Sequence, residues 1–176
     1  SLKYLVPNGF TATSMLFGLA SVVMSASGEY SLAAWMILWG VLLDKLDGTA
    51  ARETAERIEA NGGTSWASSL DVTDSSAVLA TINEVEGVLG PIDCLVNIAG
   101  IYRLVDAENI SDEEWRQMFS IHVDGTFYCC RAALPGMIAR GAGVIVNTAS
   151  LHAIRGQAGA VHYSAAKGAI VGLTKG

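Results

Sequence analysis

Charge is distributed along this chain in a way few single folds accommodate. Between Tyr4 and Gly28 there is no charged residue, and between Tyr30 and Leu43 there is again none, whereas from Arg52 onward charges are scattered as on a soluble surface. At 176 residues the chain has the length of one domain. The asymmetry instead predicts a boundary between Asp44 and Glu53, with an apolar segment at 1–52 and a second unit at 53–176. The first uncharged stretch is 25 residues long, more than the roughly 20 that cross a bilayer. Lys3 precedes the two stretches, and Lys45, Arg52 and Arg57 follow them. A membrane-spanning helical hairpin over 4–43 would therefore keep both ends cytoplasmic. A signal peptide ending near Ser25-Ala26-Ser27 and a buried soluble helical hairpin are the competing readings.

The net charge of −6, with no Lys/Arg cluster, excludes a nucleic-acid footprint. The three cysteines, Cys94, Cys129 and Cys130, lack C-x-x-C spacing. They read as reduced thiols of a cytoplasmic protein, with the Cys129-Cys130 pair in helix packing.

Asp44, Asp47, Gly48, Ala51 and Arg52 form the pattern D-x-x-D-G-x-x-A-R. Carboxylates three apart share a helix face, and at the end of an apolar helix they are costly unless they hold a cation such as Mg²⁺ or Mn²⁺. The stretch 4–52 resembles the CDP-alcohol phosphatidyltransferases, in particular the phosphatidylserine synthase branch. That resemblance implies a membrane enzyme using metal-bound aspartates. The family's later motif positions fall at Asn61, Ser65 and Ser69 here, so Asp44 and Asp47 would be half a metal site, and this activity is not expected.

From residue 53 strands and helices alternate, which predicts an α/β fold with a parallel sheet. A polar helix over Glu53–Ala60 closes at Asn61-Gly62-Gly63. Trp66–Val72, Ile92–Asn97 and Gly143–Thr148 are strand candidates. A helix after Asp74 places Val78, Leu79, Ile82 and Val85 on one face. Ser111 and Glu114 form a capping box ahead of a long helix with Trp115, Met118, Phe119 and His122 at core spacing. A last helix runs from about Tyr163.

The chemistry-bearing residues lie at the end. Tyr163 and Lys167 are four apart, on one helix face. An ammonium beside a phenol favours the phenolate and lowers its pKa, which makes a proton donor usable near neutral pH. Ser150 follows a strand, where α/β sheets gather functional groups. It lies thirteen residues before Tyr163. Leu70-Asp71-Val72-Thr73-Asp74 follows one strand, and Asn97-Ile98-Ala99-Gly100 follows the next.

Together these residues resemble the short-chain dehydrogenase/reductase family along nearly all of 53–176. The resemblance implies a Rossmann-like, doubly wound parallel sheet and an NAD- or NADP-dependent oxidoreductase acting on a small-molecule ketone or secondary alcohol. Tyr163 would be the general acid/base. Lys167 would lower its pKa and hold the nicotinamide ribose, and Ser150 would hydrogen-bond the reacting oxygen. Asn97, Ala99 and Gly100 would line the cofactor pocket, with Asp71 and Val72 near the adenine. His122 stands where the family has a relay asparagine, which implies altered relay chemistry. A buried core histidine is the alternative. His152 and His162 read as loop or surface residues.

Two departures shape the expectation. The T-G-x-x-x-G-x-G loop, which anchors the cofactor pyrophosphate at a helix N-terminus, has no counterpart ahead of Glu53, and the chain ends at Gly176 before the family's later strands. The sheet is therefore expected to be incomplete, with unpaired edges at 66–72 and 92–97 unless a partner copy in a homo-oligomer supplies the missing strands. The chain reads as a join of two fragments near Asp47–Glu53, with weak NAD(P) binding and impaired activity. A phosphatidyltransferase fragment or an inactive chimeric product are the alternatives. The expected location is cytoplasmic for 53–176, with the hairpin as an anchor.

Overall fold

The computed structural model describes residues 34–38 and 47–176. Its sheet has three parallel strands in the order β1-β2-β3, with β1 at Ala34–Leu38, β2 at Ile92–Asn97 and β3 at Val144–Asn147. The helices are α1 (Asp47–Ala60), α2 (Ser75–Leu89), α3 (Asp112–Phe119), α4 (Gly125–Arg140), α5 (His152–Arg155) and α6 (Val161–Lys175). Parallel pairing requires long crossovers: α1 and α2 make the first, α3 and α4 the second.

Three expectations need correction. The apolar stretch 30–43 contains a strand at Ala34–Leu38, where a helix was expected. That five-residue apolar run, Ala-Trp-Met-Ile-Leu, suits a buried parallel strand, and it pairs with β2 from Ala34↔Ile92 to Leu38↔Asn97. The edge of β2 expected to be open is thereby closed, and β2 is the central strand. Trp66–Val72 forms no strand. Leu70 alone makes a single bridge, although Leu70 and Val72 are both buried. Among the described residues no helix is long and apolar enough to cross a membrane. The remainder of the expected hairpin lies outside the described residues, as does Asp44. Asp47 is the first residue of α1, which runs unbroken through the expected seam at 47–53.

The elements of 54–176 follow local chemistry. Asp74 caps α2, its carboxylate accepting from the backbone N–H of Ser76 and Ala77 at 2.8 and 3.1 Å. The Ser111–Glu114 capping box starts α3. Gly62 ends the turn after α1 at φ 82°, the left-handed region that glycine enters without strain. Val78, Ile82 and Val85 of α2 pack with Leu95 of β2 and with Cys129, Ala133 and Met137 of α4. Burying a side chain of this size stabilises the fold by about 1.5–3 kcal/mol. Leu79, expected on the same face, is instead exposed beside a groove bordered by Tyr128 and Arg131. Trp115 is also outside the core. It is exposed and stacks on Phe119 at 4.9 Å. Arg140 ties the layers together, its Nη2 donating to the Ile92 carbonyl at 2.6 Å beside Glu86 and Asp93.

Between α3 and α4 the helix widens into a π turn at Ser120–Asp124. Such one-turn insertions are common at functional sites. This one carries His122 to within 1 % of complete burial.

Candidate active site

Tyr163 lies in the first turns of α6, and three rings surround it. Tyr102 meets it edge-on at 4.9 Å, His122 at 5.4 Å and His152 at 5.7 Å between ring centroids. Ser150, just past β3, lies near enough to the phenol to influence its pKa, and its Oγ accepts from the backbone N–H of His152 at 3.2 Å. Lys167, one helical turn on from Tyr163, is 3 % exposed, with Nζ 5.7 Å from the Tyr163 ring centroid. That Nζ donates to the Thr148 carbonyl at 2.6 Å. The strand end of β3 and the face of α6 thus bring Ser150, Tyr163 and Lys167 into one neighbourhood.

The electrostatics differ from the simple expectation. Burial is the largest influence on the Tyr163 phenol and pushes its pKa up. The neighbouring Ser150 hydroxyl pulls it down, and Tyr102 adds to the rise. The lowering expected from Lys167 is absent: the ammonium is turned to a backbone carbonyl and is itself desolvated. Burial brings the Lys167 pKa down to about 8.

His122 is held by Ile101. Its Nε2 is 2.8 Å from the Ile101 carbonyl and 3.1 Å from the Ile101 amide, so one tautomer donates to the former and the other accepts from the latter. Its Nδ1 is buried with no protein partner. Burial, then the Lys167 charge, depress its pKa to about 4, so the imidazole is neutral at neutral pH. Gly100 lies against this ring. A Cβ there would collide with His122 Cε1.

The residues expected to line a cofactor divide. Gly100 is exposed and Ala99 partly so at the end of β2. Asn97 faces inward: its Nδ2 donates to Asn147 Oδ1 at 2.8 Å, and it is 6 % exposed. It braces β2 against β3. Val72 is buried, and Asp71 is exposed but engaged with Thr73 through the backbone N–H at 2.9 Å and the hydroxyl at 2.7 Å. Among the described residues no group of three or more His, Cys, Asp or Glu side chains is placed to hold a metal ion. The three cysteines are free, and burial pushes Cys129 up to about 12, an inert thiol.

Tyr102 and His152, which flank Tyr163, were missed in the sequence, and His162 was misplaced. His162, expected in a loop or on the surface, is completely buried, with neither ring nitrogen partnered. Its place one residue before Tyr163 on a two-sided helix was the available signal. Tyr102 had none, since only the path of the loop after β2 brings it to Tyr163.

A family model described as short chain dehydrogenase matches residues 40–176. The chain belongs to the short-chain dehydrogenase family. The match takes in the D-x-x-D-G-x-x-A-R stretch as well. The chain is 39 % identical over 134 residues to an inactive 2-(S)-hydroxypropyl-CoM dehydrogenase 2 of Xanthobacter autotrophicus, covering 76 % of this chain and 56 % of that one. It is 39 % identical to a meso-2,3-butanediol dehydrogenase of Serratia marcescens, covering 71 % and 50 %. It is 35 % identical to a gluconate 5-dehydrogenase of Gluconobacter oxydans, covering 86 % and 57 %. The solved structure of an NAD⁺-bound xylitol dehydrogenase superposes with a TM-score of 0.70 at 29 % identity, over 74 % of this chain and 50 % of that one. The chain spans about half the length of the relatives it matches. The shared fold is Rossmann-like α/β.

Proposed function

We propose that this chain carries the catalytic half of an NAD- or NADP-dependent oxidoreductase that interconverts a secondary alcohol and a ketone. The observation that carries the reading is the convergence of Ser150 and Lys167 on Tyr163. In the oxidising direction Tyr163 takes the proton of the substrate hydroxyl as general base. In the reducing direction it returns that proton to the carbonyl oxygen. The Ser150 hydroxyl donates to the same oxygen as charge develops on it. Lys167, cationic below its pKa of about 8, stands with Nζ 5.7 Å from the Tyr163 ring centroid, placed to hold the nicotinamide ribose beside the phenol.

The nicotinamide end of a dinucleotide fits these residues. Lys167 has three donors and one is engaged by Thr148, which leaves N–H groups for a ribose diol. Ala99 and Gly100 supply backbone that a ring can approach closely. The bound cofactor would supply or accept the hydride. With Nε2 of His122 on Ile101, Nδ1 is the atom left for proton relay. Among the described residues none forms a glycine loop for the pyrophosphate.

The test is alcohol-dependent reduction of NAD⁺ and NADP⁺ by the chain and by Tyr163→Phe. Loss of the general base predicts a fall in kcat of about 10²–10⁴-fold. Equal turnover by the two proteins would overturn the assignment of Tyr163.

A further inference from the structure

A line of hydrogen bonds runs from β2 through β3 to α6, and the mechanism above does not use it. Asn147, the last residue of β3, sits at its centre. Its Oδ1 accepts from Asn97 Nδ2 at 2.8 Å, and its own Nδ2 donates to Thr174 Oγ1 at 3.1 Å. The Thr174 hydroxyl in turn donates its one proton to the Ile170 carbonyl at 2.7 Å. The donors all point the same way along this line, so each group has a single role. An amide, with an acceptor on one arm and donors on the other, fits between Asn97 and Thr174. A carboxylate would face the Thr174 oxygen with a second acceptor, and an aliphatic chain would offer neither partner.

The same line leads to Lys167. Thr148 follows Asn147, and its backbone is held from two sides. Its N–H donates to the Asn97 carbonyl at 3.1 Å, and its carbonyl accepts from Lys167 Nζ at 2.6 Å. Lys167, Ile170 and Thr174 are spaced three and four residues apart, so they share one face of α6. Two consecutive residues of the β3 end are thus tied to that face, Thr148 through Lys167 and Asn147 through Thr174. A lysine ammonium rides on a flexible four-carbon stem, so where it stands depends on how firmly its acceptor is held. We infer that Asn147 is a positioning residue for Lys167: its amide clamps the end of β3 to β2 and to α6, and so fixes the Thr148 carbonyl that seats the ammonium beside Tyr163. The consequence for turnover rests on the oxidoreductase reading, whereas the seat of the ammonium does not.

The experiment reads the seat directly and turnover beside it. The ¹H–¹⁵N resonance of the Lys167 ammonium is followed in the full chain at pH 6, below the Lys167 pKa of about 8, together with alcohol-dependent NAD⁺ reduction. A buried, hydrogen-bonded ammonium exchanges slowly with water, so the parent should show this resonance. Asn147→Leu, of similar size, should shift or broaden it and lower kcat by about tenfold or more. Thr174→Val, a change at an exposed position, should act in the same direction to a lesser degree, and Thr174→Ser, which keeps the hydroxyl, should match the parent. A purely structural Asn147 would lower the melting temperature and leave the resonance where it was. No ammonium resonance in the parent, a parent-like resonance in folded Asn147→Leu, or a displaced resonance with unchanged kcat overturns the inference. If Asn147→Leu does not fold, a parent-like resonance in Thr174→Val overturns it. A resonance displaced in the variants, with no alcohol-dependent reduction by any of the proteins, leaves the seat standing and overturns the oxidoreductase reading instead.

Discussion

Gly100→Ala tests whether the imidazole of His122 is as fixed as its surroundings indicate. The new Cβ would collide with Cε1 of His122 and stand 2.8 Å from its Nδ1 and 3.2 Å from its Nε2. Carbon atoms in good contact are about 3.5–4.0 Å apart, so the ring or the strand end must move by more than about 1 Å. The ring has little freedom to do so, being 1 % exposed and tied through Nε2 to Ile101. Overpacking of this kind costs about 1–3 kcal/mol, and breaking the Ile101 hydrogen bond adds about 1 kcal/mol. Gly100 is not among the positive-φ glycines, so the backbone itself accepts alanine, and the stiffer unfolded chain offsets about 0.4–1 kcal/mol. The expected net loss is about 2–3 kcal/mol. Urea unfolding followed by tryptophan fluorescence would measure it as a shift in midpoint at constant slope. In a His122→Ser background the same substitution should cost under about 0.5 kcal/mol, giving a coupling energy of about 2 kcal/mol between the two positions. A Gly100→Ala protein as stable as its parent, or equal losses with and without the imidazole, would refute the packing argument.

Three further outcomes follow from the same residues. Burial lowers the His122 pKa from 6.5 to about 4, so the unfolded chain binds a proton that the fold resists. The stability at stake is intact above pH 6.5 and is lost as pH falls toward 4, by about 2 kcal/mol at pH 5, and the stability difference between the parent and His122→Asn should shrink by that amount between pH 7 and 5 in parallel urea titrations. Lys167→Met removes a buried cation whose pKa is depressed to about 8. At pH 7 that depression costs about 3 kcal/mol and the Thr148 hydrogen bond returns part of it, so the variant should melt higher than its parent at pH 7, with a gain that shrinks toward pH 10, and a variant that melts lower at pH 7 would be contrary evidence. Titration of the chain with NADH or NADPH by fluorescence should give binding weaker than micromolar, and micromolar affinity would show that residues other than a glycine loop hold the pyrophosphate.

How much of this was legible beforehand differs between elements for physical reasons. The helices at 75–89 and 161–175 and the strand at 92–97 announce themselves through Asp74, Gly90 and apolar periodicity, because caps and periodicity act within a few residues. Leu79 illustrates the limit. Periodicity put it on the buried face, but the helix is covered on one side only, and which residues lie under α4 depends on the angle at which the two helices pack. Trp66–Val72 has strand composition without a strand, because composition supplies side chains for a ladder and not the neighbouring strand to pair with. The reverse holds for Ala34–Leu38. An uncharged run reads equally as a helix or a buried strand, and its pairing with Ile92–Asn97, more than fifty residues away, made it a strand.

The sequence by itself determined the set of residues proposed to react. Ser150, Tyr163 and Lys167 are joined by local rules, a strand end and a four-residue helical spacing, so their meeting was written in short-range order. The third dimension decided their environment. That Asn97 faces Asn147, that His122 is gripped by Ile101 and pressed on Gly100, and that His152 and Tyr102 close around Tyr163 all depend on segments distant in sequence. Desolvation acts the same way: burial depends on what every other element covers, and it reversed the expected direction of the Tyr163 shift.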